Sequence, residues 1–171
     1  MSKMSTKTKW IVVIIGAFII VFVIVPIVSL INFKRWEVNG SAMAPTYDSG
    51  QYVLATKSDN NPTIDSIVII RSPNSQGVTT DSIKRIVALG GDRVVIKNDK
   101  LTVYDSEHPN GYNPTSSVIA SNVQTVGNVN IIIPKGDVYV LGDNRSDSFD
   151  SREYGPLPQR NIVGRVIGKN N

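Results

Sequence analysis

Apolar residues form one long run near the start of the chain and a series of short runs after it. Residues Ile11 to Ile31 make up 21 positions without a charged side chain. About 20 apolar residues cross a hydrocarbon core of about 30 Å, and a backbone without water must be helical there. The pattern predicts a transmembrane helix over residues 10–32, kinked rather than ended by Pro26.

Basic residues on the two sides of this run predict its orientation. Three lysines precede the run and two basic residues follow it: Lys3, Lys7 and Lys9 before, Lys34 and Arg35 after. By the positive-inside rule, this excess predicts a cytoplasmic segment 1–9 and an extracytoplasmic domain 33–171. A cleavable secretory signal is the less favoured alternative, because the run is about twice as long as the apolar region of such signals.

Short β-branched runs separated by turn residues dominate the outer part. This spacing predicts an antiparallel β domain. Asn98-Asp99 is predicted to be a hairpin tip, and the polar segment of about residues 105–128 is predicted to be an insertion loop or hairpin. The predicted strands are Tyr52–Ala55, Ser66–Ile70, Ile83–Leu89, Arg93–Ile96, Leu101–Tyr104, Val129–Ile133, Val138–Leu141 and Ile162–Ile167.

Composition narrows the possible chemistry. The chain has no cysteine, which excludes disulfides, thiolate metal sites and a cysteine nucleophile. It has one histidine, His108. His108 lies in the polar segment and is interpreted as a solvated loop residue. Most of the net charge of +4 lies at the N-terminus, because 15 Lys/Arg face 14 Asp/Glu from Phe33 onward. Without a basic stripe, a nucleic-acid partner is not expected.

Four segments carry the candidate chemistry of the outer part. Gly40–Thr46 exposes backbone N–H groups at a tip of small residues, or is a plain linker turn. Ser82–Val87 places a lysine inside an apolar strand, and Leu89–Asp92 is a glycine turn. Leu141–Arg152 is dense in Asp, Arg and Ser, which predicts a rigid hydrogen-bonded loop, with a merely solvated loop as the alternative.

Lys84 is the candidate general base among these residues. Strict alternation places it on one strand face with Ser82, Ile86 and Ala88. Burial on that face would lower the lysine pKa and supply a neutral amine near neutral pH. A lysine on the solvated face of the strand is the alternative.

Taken together and in this order, the segments resemble the bacterial type I signal peptidases, which are membrane-anchored serine proteases. The resemblance implies a mainly β fold, with a signal-peptidase-type antiparallel β catalytic domain and one N-terminal transmembrane helix. The matching boxes are G-x-S-M-x-P-T at 40–46, apart from residue 42, K-R-[IV]-[IV] at 84–87, G-D at 91–92 and G-D-N-R-x-x-S-x-D-S-R at 142–152.

The resemblance implies a role for each matching residue. Lys84 would be the general base of a Ser–Lys dyad, and Ser148 would hydrogen-bond and orient it. Asp150 and Arg152 would form a supporting ion pair. The other implied residues are Asp143, Asn144 and Arg145, which would shape the site, and Met43, Ile83 and Ala88, which would line the substrate pocket.

The same resemblance implies substrates, partners and location. Signal peptides of exported preproteins would be cut after A-x-A-type sites at the outer face of the cytoplasmic membrane. The lipid bilayer would be one partner and the secretion translocon another, and the chemistry needs no metal or organic cofactor. A self-cleaving repressor protease shares Ser–Lys chemistry, but it would need a DNA-binding domain where this chain has its apolar run.

Residue 42 departs from the family pattern. The family has its nucleophilic serine immediately before Met43, where this sequence has Ala42. A methyl group cannot attack a carbonyl, so the chain as written is predicted to be inactive. Ser41 is not expected to substitute, because attack geometry tolerates little displacement.

Two explanations for Ala42 stay open. One is a deliberate Ser-to-Ala change, which the retention of Lys84 and Ser148 favours. The other is a natural non-catalytic homologue that acts as a membrane-bound assembly or chaperone protein. Smaller departures are Gly90, where the family prefers proline, and Gln51, where it often has aspartate.

Overall fold

The computed structural model describes residues 5–27, 33–57, 61–115, 119 and 123–170. The chain divides into two compact units, residues 1–34 and 35–171. In the first unit, α1 (Thr6–Ile19) continues through a π-helical turn at Ile20–Ile24 and on to Ile27. Within the described residues this is the one helix long and apolar enough to cross a membrane, and none of its side chains is buried.

The helix passes through Pro26 instead of ending there. It begins at Thr6, before the predicted start at residue 10, and the last five residues of the predicted span, 28–32, lie outside the described residues. A helix of this length and composition fits membrane anchoring.

The outer part of the chain is two β-sheets. One sheet has seven strands in the order β1-β2-β10-β3-β4-β8-β9, and the other has three in the order β6-β5-β7. All pairs from β2 onward are antiparallel. The described strands are β1 (Phe33–Glu37), β2 (Tyr52–Lys57), β3 (Ile67–Pro73), β4 (Thr79–Leu89), β5 (Arg93–Lys97), β6 (Lys100–Tyr104), β7 (Val129–Ile132), β8 (Asp137–Leu141), β9 (Leu157–Pro158) and β10 (Ile162–Asn170). A one-turn helix α2 (Ser151–Tyr154) and a 3₁₀ turn at Gln159–Asn161 complete the fold.

The predicted mainly antiparallel β fold is confirmed. Six of the eight predicted runs lie wholly in a strand, and the other two exceed theirs by one residue, since Ser66 precedes β3 and Ile133 follows β7. Asn98 and Asp99 form the β5–β6 hairpin tip with φ of 52° and 61°, the left-handed region that a tight hairpin turn requires. The short elements β1, β9 and α2 were not predicted.

A β-bulge in β4 changes which residues share a face with Lys84. Between Ile86 and Ala88 the register against β8 shifts, so that Ile86 pairs with Val140 and Ala88 with Tyr139. Lys84 and Ile86 keep the predicted common face, whereas Ala88 moves into the core with Val87 and Tyr139. Strict alternation therefore fails two residues before the end of the strand.

Two clusters of buried apolar side chains hold the elements that carry the candidate residues. Val87, Tyr139 and Leu141 of the larger sheet pack against the apolar side chains of β5 and β6, so this cluster joins the two sheets. A second cluster buries Met43 beside Val53, which anchors the loop after β1. Burial of one such side chain contributes about 1.5–3 kcal/mol.

The polar segment 105–128 is described in part. Tyr112 forms an isolated bridge with Val103 of β6, and the Thr125 N–H donates to the Asp99 carbonyl at 2.8 Å. The predicted insertion therefore packs along the smaller sheet at both of these points. Residues 116–118 and 120–122 of the predicted loop lie outside the described residues.

Candidate active site

Lys84 is buried in the middle of the larger sheet. Only 4% of its surface is exposed, and Val68 of β3 is its cross-strand neighbour. No hydrogen bond or ion pair joins its amine to another residue in the described part of the chain. Burial lowers the pKa of Lys84, with Arg152 adding to the effect and Asp150 and Glu153 opposing it. The neutral amine, which is the form that accepts a proton, is favoured accordingly.

Ala42 and Lys84 line the same cavity of about 310 Å³. One wall is the end of β1 and the loop after it, and the other is the stretch from Thr80 to Lys84 of β4. Met43 and Ile83, two of the three predicted pocket residues, also line it. Ala88 does not. Ala88 is buried in the core beside the bulge in β4, and its role in a substrate pocket stays a prediction.

Hydrogen bonds from the loop after β8 hold the backbone at residues 41 and 42. The Asn144 N–H donates to the Ala42 carbonyl at 3.0 Å, and its Nδ2 donates to the Ser41 carbonyl at 3.2 Å. The Ser41 hydroxyl donates to the Asp147 carboxylate. The Ala42 N–H has no acceptor within the described residues, so it is a fixed donor that a ligand can use.

Asp143 joins three of the predicted segments. Its carboxylate accepts two hydrogen bonds from Arg85, Nε–Oδ1 at 2.8 Å and Nη2–Oδ2 at 2.6 Å, and one from Thr46 Oγ1 at 2.5 Å. Arg85 also donates to Asp65. Asp143 and Arg85 are both buried, so their pairing offsets the cost of removing two charges from water.

Asp150 and Arg152 form an ion pair at the end of the same loop, with Nε 2.8 Å from Oδ1. Asp150 also accepts the Gly142 N–H at 3.0 Å, and Ser151 Oγ accepts the Val140 N–H at 3.0 Å. These side chains accept hydrogen bonds from backbone N–H groups at the end of β8, as the carbonyls of a neighbouring strand would. Asp150 caps α2 in a capping box with Glu153.

Ser148 does not make the expected hydrogen bond to Lys84. Its Oγ is buried and has no partner within the described residues. Ser148 packs against Gly142 so closely that a Cβ at position 142 would lie 2.2 Å from Ser148 Oγ and 2.6 Å from the Ala42 carbonyl oxygen. The glycine therefore permits the loop to pass beside Ala42.

Arg145 and Arg85 are structural residues whose partners the sequence did not reveal. Arg145 Nη1 and Nη2 donate to Thr125 and Thr115 at 2.6 and 2.9 Å, and its Nε donates to the Gly142 carbonyl at 2.9 Å. Burial lowers the pKa of Arg145 to about 10, so its guanidinium stays charged at neutral pH. Arg145 thus binds the 105–128 segment to the loop beside Ala42.

His108 lies apart from these groups. It is exposed, its ring stacks on Tyr112 at 4.0 Å, and its Nδ1 is 3.0 Å from Asp105 Oδ1. Neither Asp105 nor Tyr112 lines the cavity of Ala42 and Lys84. Within the described residues, no group of three or more His, Asp or Glu side chains is arranged to hold a metal ion.

A buried amine and a backbone N–H without an acceptor among the described residues are groups that can act as a general base and an oxyanion donor, and both belong to residues that line one cavity. A comparison of the sequence with known protein families gives a match over most of the chain. The family described as "Signal peptidase, peptidase S26" matches residues 7–169. The chain belongs to this family.

Several similar proteins are named as signal or processing peptidases. Signal peptidase I U of Bacillus subtilis is 30% identical over 95% of this chain and 87% of its own length. Signal peptidase IB of Staphylococcus aureus is 30% identical over 92% and 86%. Thylakoidal processing peptidase 1 of Arabidopsis thaliana is 36% identical over 77% of this chain, which spans 40% of that relative's length. A crystal structure of a signal peptidase I from Enterococcus faecalis aligns at 24% identity over 64% of this chain and all of the other, with a TM-score of 0.48.

Proposed function

We propose that this chain is a signal peptidase I, a serine endopeptidase that removes signal peptides after A-x-A-type sites, in a form inactivated by alanine at position 42. The observation that carries the proposal is the shared cavity of Ala42 and Lys84, in which the buried amine has no partner within the described residues. A serine at position 42 would put a hydroxyl on the same cavity as this base.

In the serine form, neutral Lys84 would take the hydroxyl proton while the oxygen attacks the peptide carbonyl. The free Ala42 N–H, held by the Asn144 contacts, would donate to the resulting oxyanion. One such donor is worth about 2.7–4 kcal/mol in other proteases. Protonated Lys84 would then give its proton to the leaving amine, and water would release the acyl-enzyme. No metal or organic cofactor takes part.

Ser148 would orient Lys84 once substrate is bound. Its Oγ is buried without a partner among the described residues, so it has an unused capacity to accept a hydrogen bond from the lysine amine. Catalytic hydrogen bonds often tighten only in the substrate complex. The Asp150–Arg152 pair, Asp143, Asn144 and Arg145 would hold the loop in shape around this pair.

The cavity supports the proposed preference for small residues. Met43 and Ile83 line it together with Ala42, and its volume of about 310 Å³ would fit a short stretch of extended peptide with small side chains. Alanine-sized residues would occupy the −1 and −3 positions of the substrate. The substrates would be the signal peptides of exported preproteins.

The protein would work at the outer face of the cytoplasmic membrane. α1 would cross the bilayer once, with residues 1–9 in the cytoplasm and the β domain outside, beside the secretion translocon. Protease added to intact spheroplasts should digest the β domain. Full protection of the β domain would contradict this topology.

The catalytic assignment is tested by restoring the hydroxyl. The Ala42→Ser form, in membranes, should cleave a preprotein after its A-x-A site, as shown by N-terminal sequencing of the product. Ala42→Ser/Lys84→Ala is the matched control and should not cleave. Loss of a triad nucleophile costs about 10⁶-fold in kcat in a related mechanism, so the gain should be large.

A natural non-catalytic homologue is the second candidate, and Ala42 itself is the observation that favours it. Such a protein would bind preprotein-like segments in the membrane without cutting them, as an assembly or chaperone protein. The codon for residue 42 in the natural gene distinguishes the two. If Ala42→Ser is folded and membrane-inserted but inert, the second candidate replaces the first.

A further inference from the structure

A second cavity, of about 420 Å³, is lined in part by the loop that contains Ala42. Ala44 and Pro45 of that loop form one side of it, and Asn144 and Ser146 form part of another. Val123 and Val126 of the 105–128 segment supply the facing wall. None of the roles proposed above uses this cavity.

Hydrogen bonds hold the segment Val123–Val126 against the loop after β8. Thr125, between them, is buried and accepts a hydrogen bond from Arg145 Nη1 at 2.6 Å. The Val126 carbonyl accepts another from Arg152 Nη1 at 3.3 Å. Even so, 39% of Val123 and 60% of Val126 remain exposed. Apolar side chains exposed on a fixed cavity wall are typical of a binding groove.

Among the described residues that line this cavity, the charged side chains are already paired. Asp143 is bound by Arg85 and Thr46, and the Arg145 guanidinium by Thr115, Thr125 and the Gly142 carbonyl. The cavity is thus left with apolar side chains and neutral polar ones such as Ser146. A neutral, extended peptide segment with small apolar side chains suits this lining.

The loop after β1 is a wall of both cavities, with Ala42 on the first and Ala44 on the second. We infer that the second cavity binds the substrate residues that follow the cleavage site, the first residues of the mature protein. This inference rests on the proposed function, in which the first cavity binds the residues before the cut. Asn144, which lines the second cavity, donates its N–H to the Ala42 carbonyl, so this cavity is the neighbouring surface for a peptide that extends past Ala42.

The chain with Ala42 allows a direct test, because it is predicted to bind substrate without cutting it. Two labelled peptides share one A-x-A segment: a short one ends at the −1 residue as an amide, and a long one continues for six neutral residues. Their Kd values are measured by fluorescence anisotropy with the full chain in detergent micelles. The long peptide should bind about tenfold more tightly, which is the effect of burying about one valine-sized side chain.

Val123→Asp and Val126→Asp should remove this difference without changing the Kd of the short peptide. Ile132→Asp, at a residue 66% exposed on β7, is the matched control and should keep the difference. Equal binding of the two peptides by the unmodified chain would overturn the inference, as would a difference that survives both valine variants. A difference lost equally in the Ile132 control would also overturn it. Failure of both peptides to bind would instead overturn the proposed function.

Discussion

Arg85 and Asp143 form a buried, bidentate ion pair between β4, the strand that carries Lys84, and the loop that follows β8. Two hydrogen bonds of 2.8 and 2.6 Å join them, and Thr46 donates to the same carboxylate. Arg85 is the residue next to Lys84, and Asp143 lies in the loop after β8 that is hydrogen-bonded to Ala42. The ion pair therefore fixes the position of Lys84 relative to that loop. Neither side chain lines the cavity of Ala42 and Lys84.

Removal of Asp143 should therefore destabilise the fold strongly. Asp143→Asn breaks the buried ion pair and leaves the Arg85 guanidinium with Asp65, whose side chain is partly exposed, as its counter-charge; breaking a buried pair typically costs about 3–5 kcal/mol. Asp81→Asn breaks the exposed Arg71–Asp81 pair instead and should cost less than about 1 kcal/mol. Urea unfolding of the full chain in detergent micelles measures both. Equal losses in the two variants would mean that the buried pair has no special role.

Lys84 should make stability depend on pH in a defined direction. Its pKa is lowered by burial, so between this lowered pKa and the ordinary value near 10.4 the unfolded chain binds more protons than the folded one. Stability must then rise with pH across that window, and the penalty is greatest below the folded pKa. The unmodified chain should gain stability relative to Lys84→Met as the pH is raised from about 7 to about 10. A constant difference would contradict the buried amine.

Gly142 should not tolerate a side chain. A Cβ there would lie 2.2 Å from Ser148 Oγ and 2.6 Å from the Ala42 carbonyl, so one of the two loops must move. Gly142→Ala should lower stability by about 1–3 kcal/mol, which is typical of overpacking, and should abolish the cleavage restored by Ala42→Ser. Gly168→Ala is the control, because a Cβ at that position would have no neighbouring atom within 4 Å among the described residues. Matching behaviour of the two variants would show that the close approach is unimportant.

The Ser41–Asp147 hydrogen bond should affect the chemical step more than substrate binding. It helps to fix the backbone of residue 42, whose N–H is the proposed oxyanion donor. In the Ala42→Ser background, Asp147→Asn should lower kcat about two- to tenfold with little change in KM, the range expected from one weakened hydrogen bond. Asp137→Asn, away from the loop, should leave both constants unchanged. An effect confined to KM would point to a substrate contact instead.

Much of the fold follows from local sequence patterns. The eight predicted strands are β-branched runs between turn residues, and these are features of neighbouring positions. Phe33–Glu37 was missed because three of its five residues are charged, and Leu157–Pro158 because two residues carry no periodicity. α2 had a sequence signal, the Asp150-x-x-Glu153 capping box.

The candidate site was less accessible to sequence reasoning, because its contacts join distant segments. Ordered motifs identified Lys84 and the loop after β8, but the partners of Arg85 and Arg145 lie up to 58 residues away. The bulge after Ile86 reversed the face of Ala88, which alternation alone cannot foresee. The missing hydrogen bond between Ser148 and Lys84 and the close approach of Gly142 to Ala42 are likewise contacts between distant segments that have no local sequence signal.

The pH dependence of cleavage by the Ala42→Ser form tests the central claim most directly, because it reports the protonation state of the base. kcat/KM should rise with pH through an apparent pKa below the ordinary lysine value near 10.4, since only the neutral amine accepts the serine proton. The Ala42→Ser/Lys84→Ala form should show no cleavage at any pH. Cleavage that persists in this double variant, or a midpoint at the ordinary lysine value, would contradict a buried Lys84 as the general base.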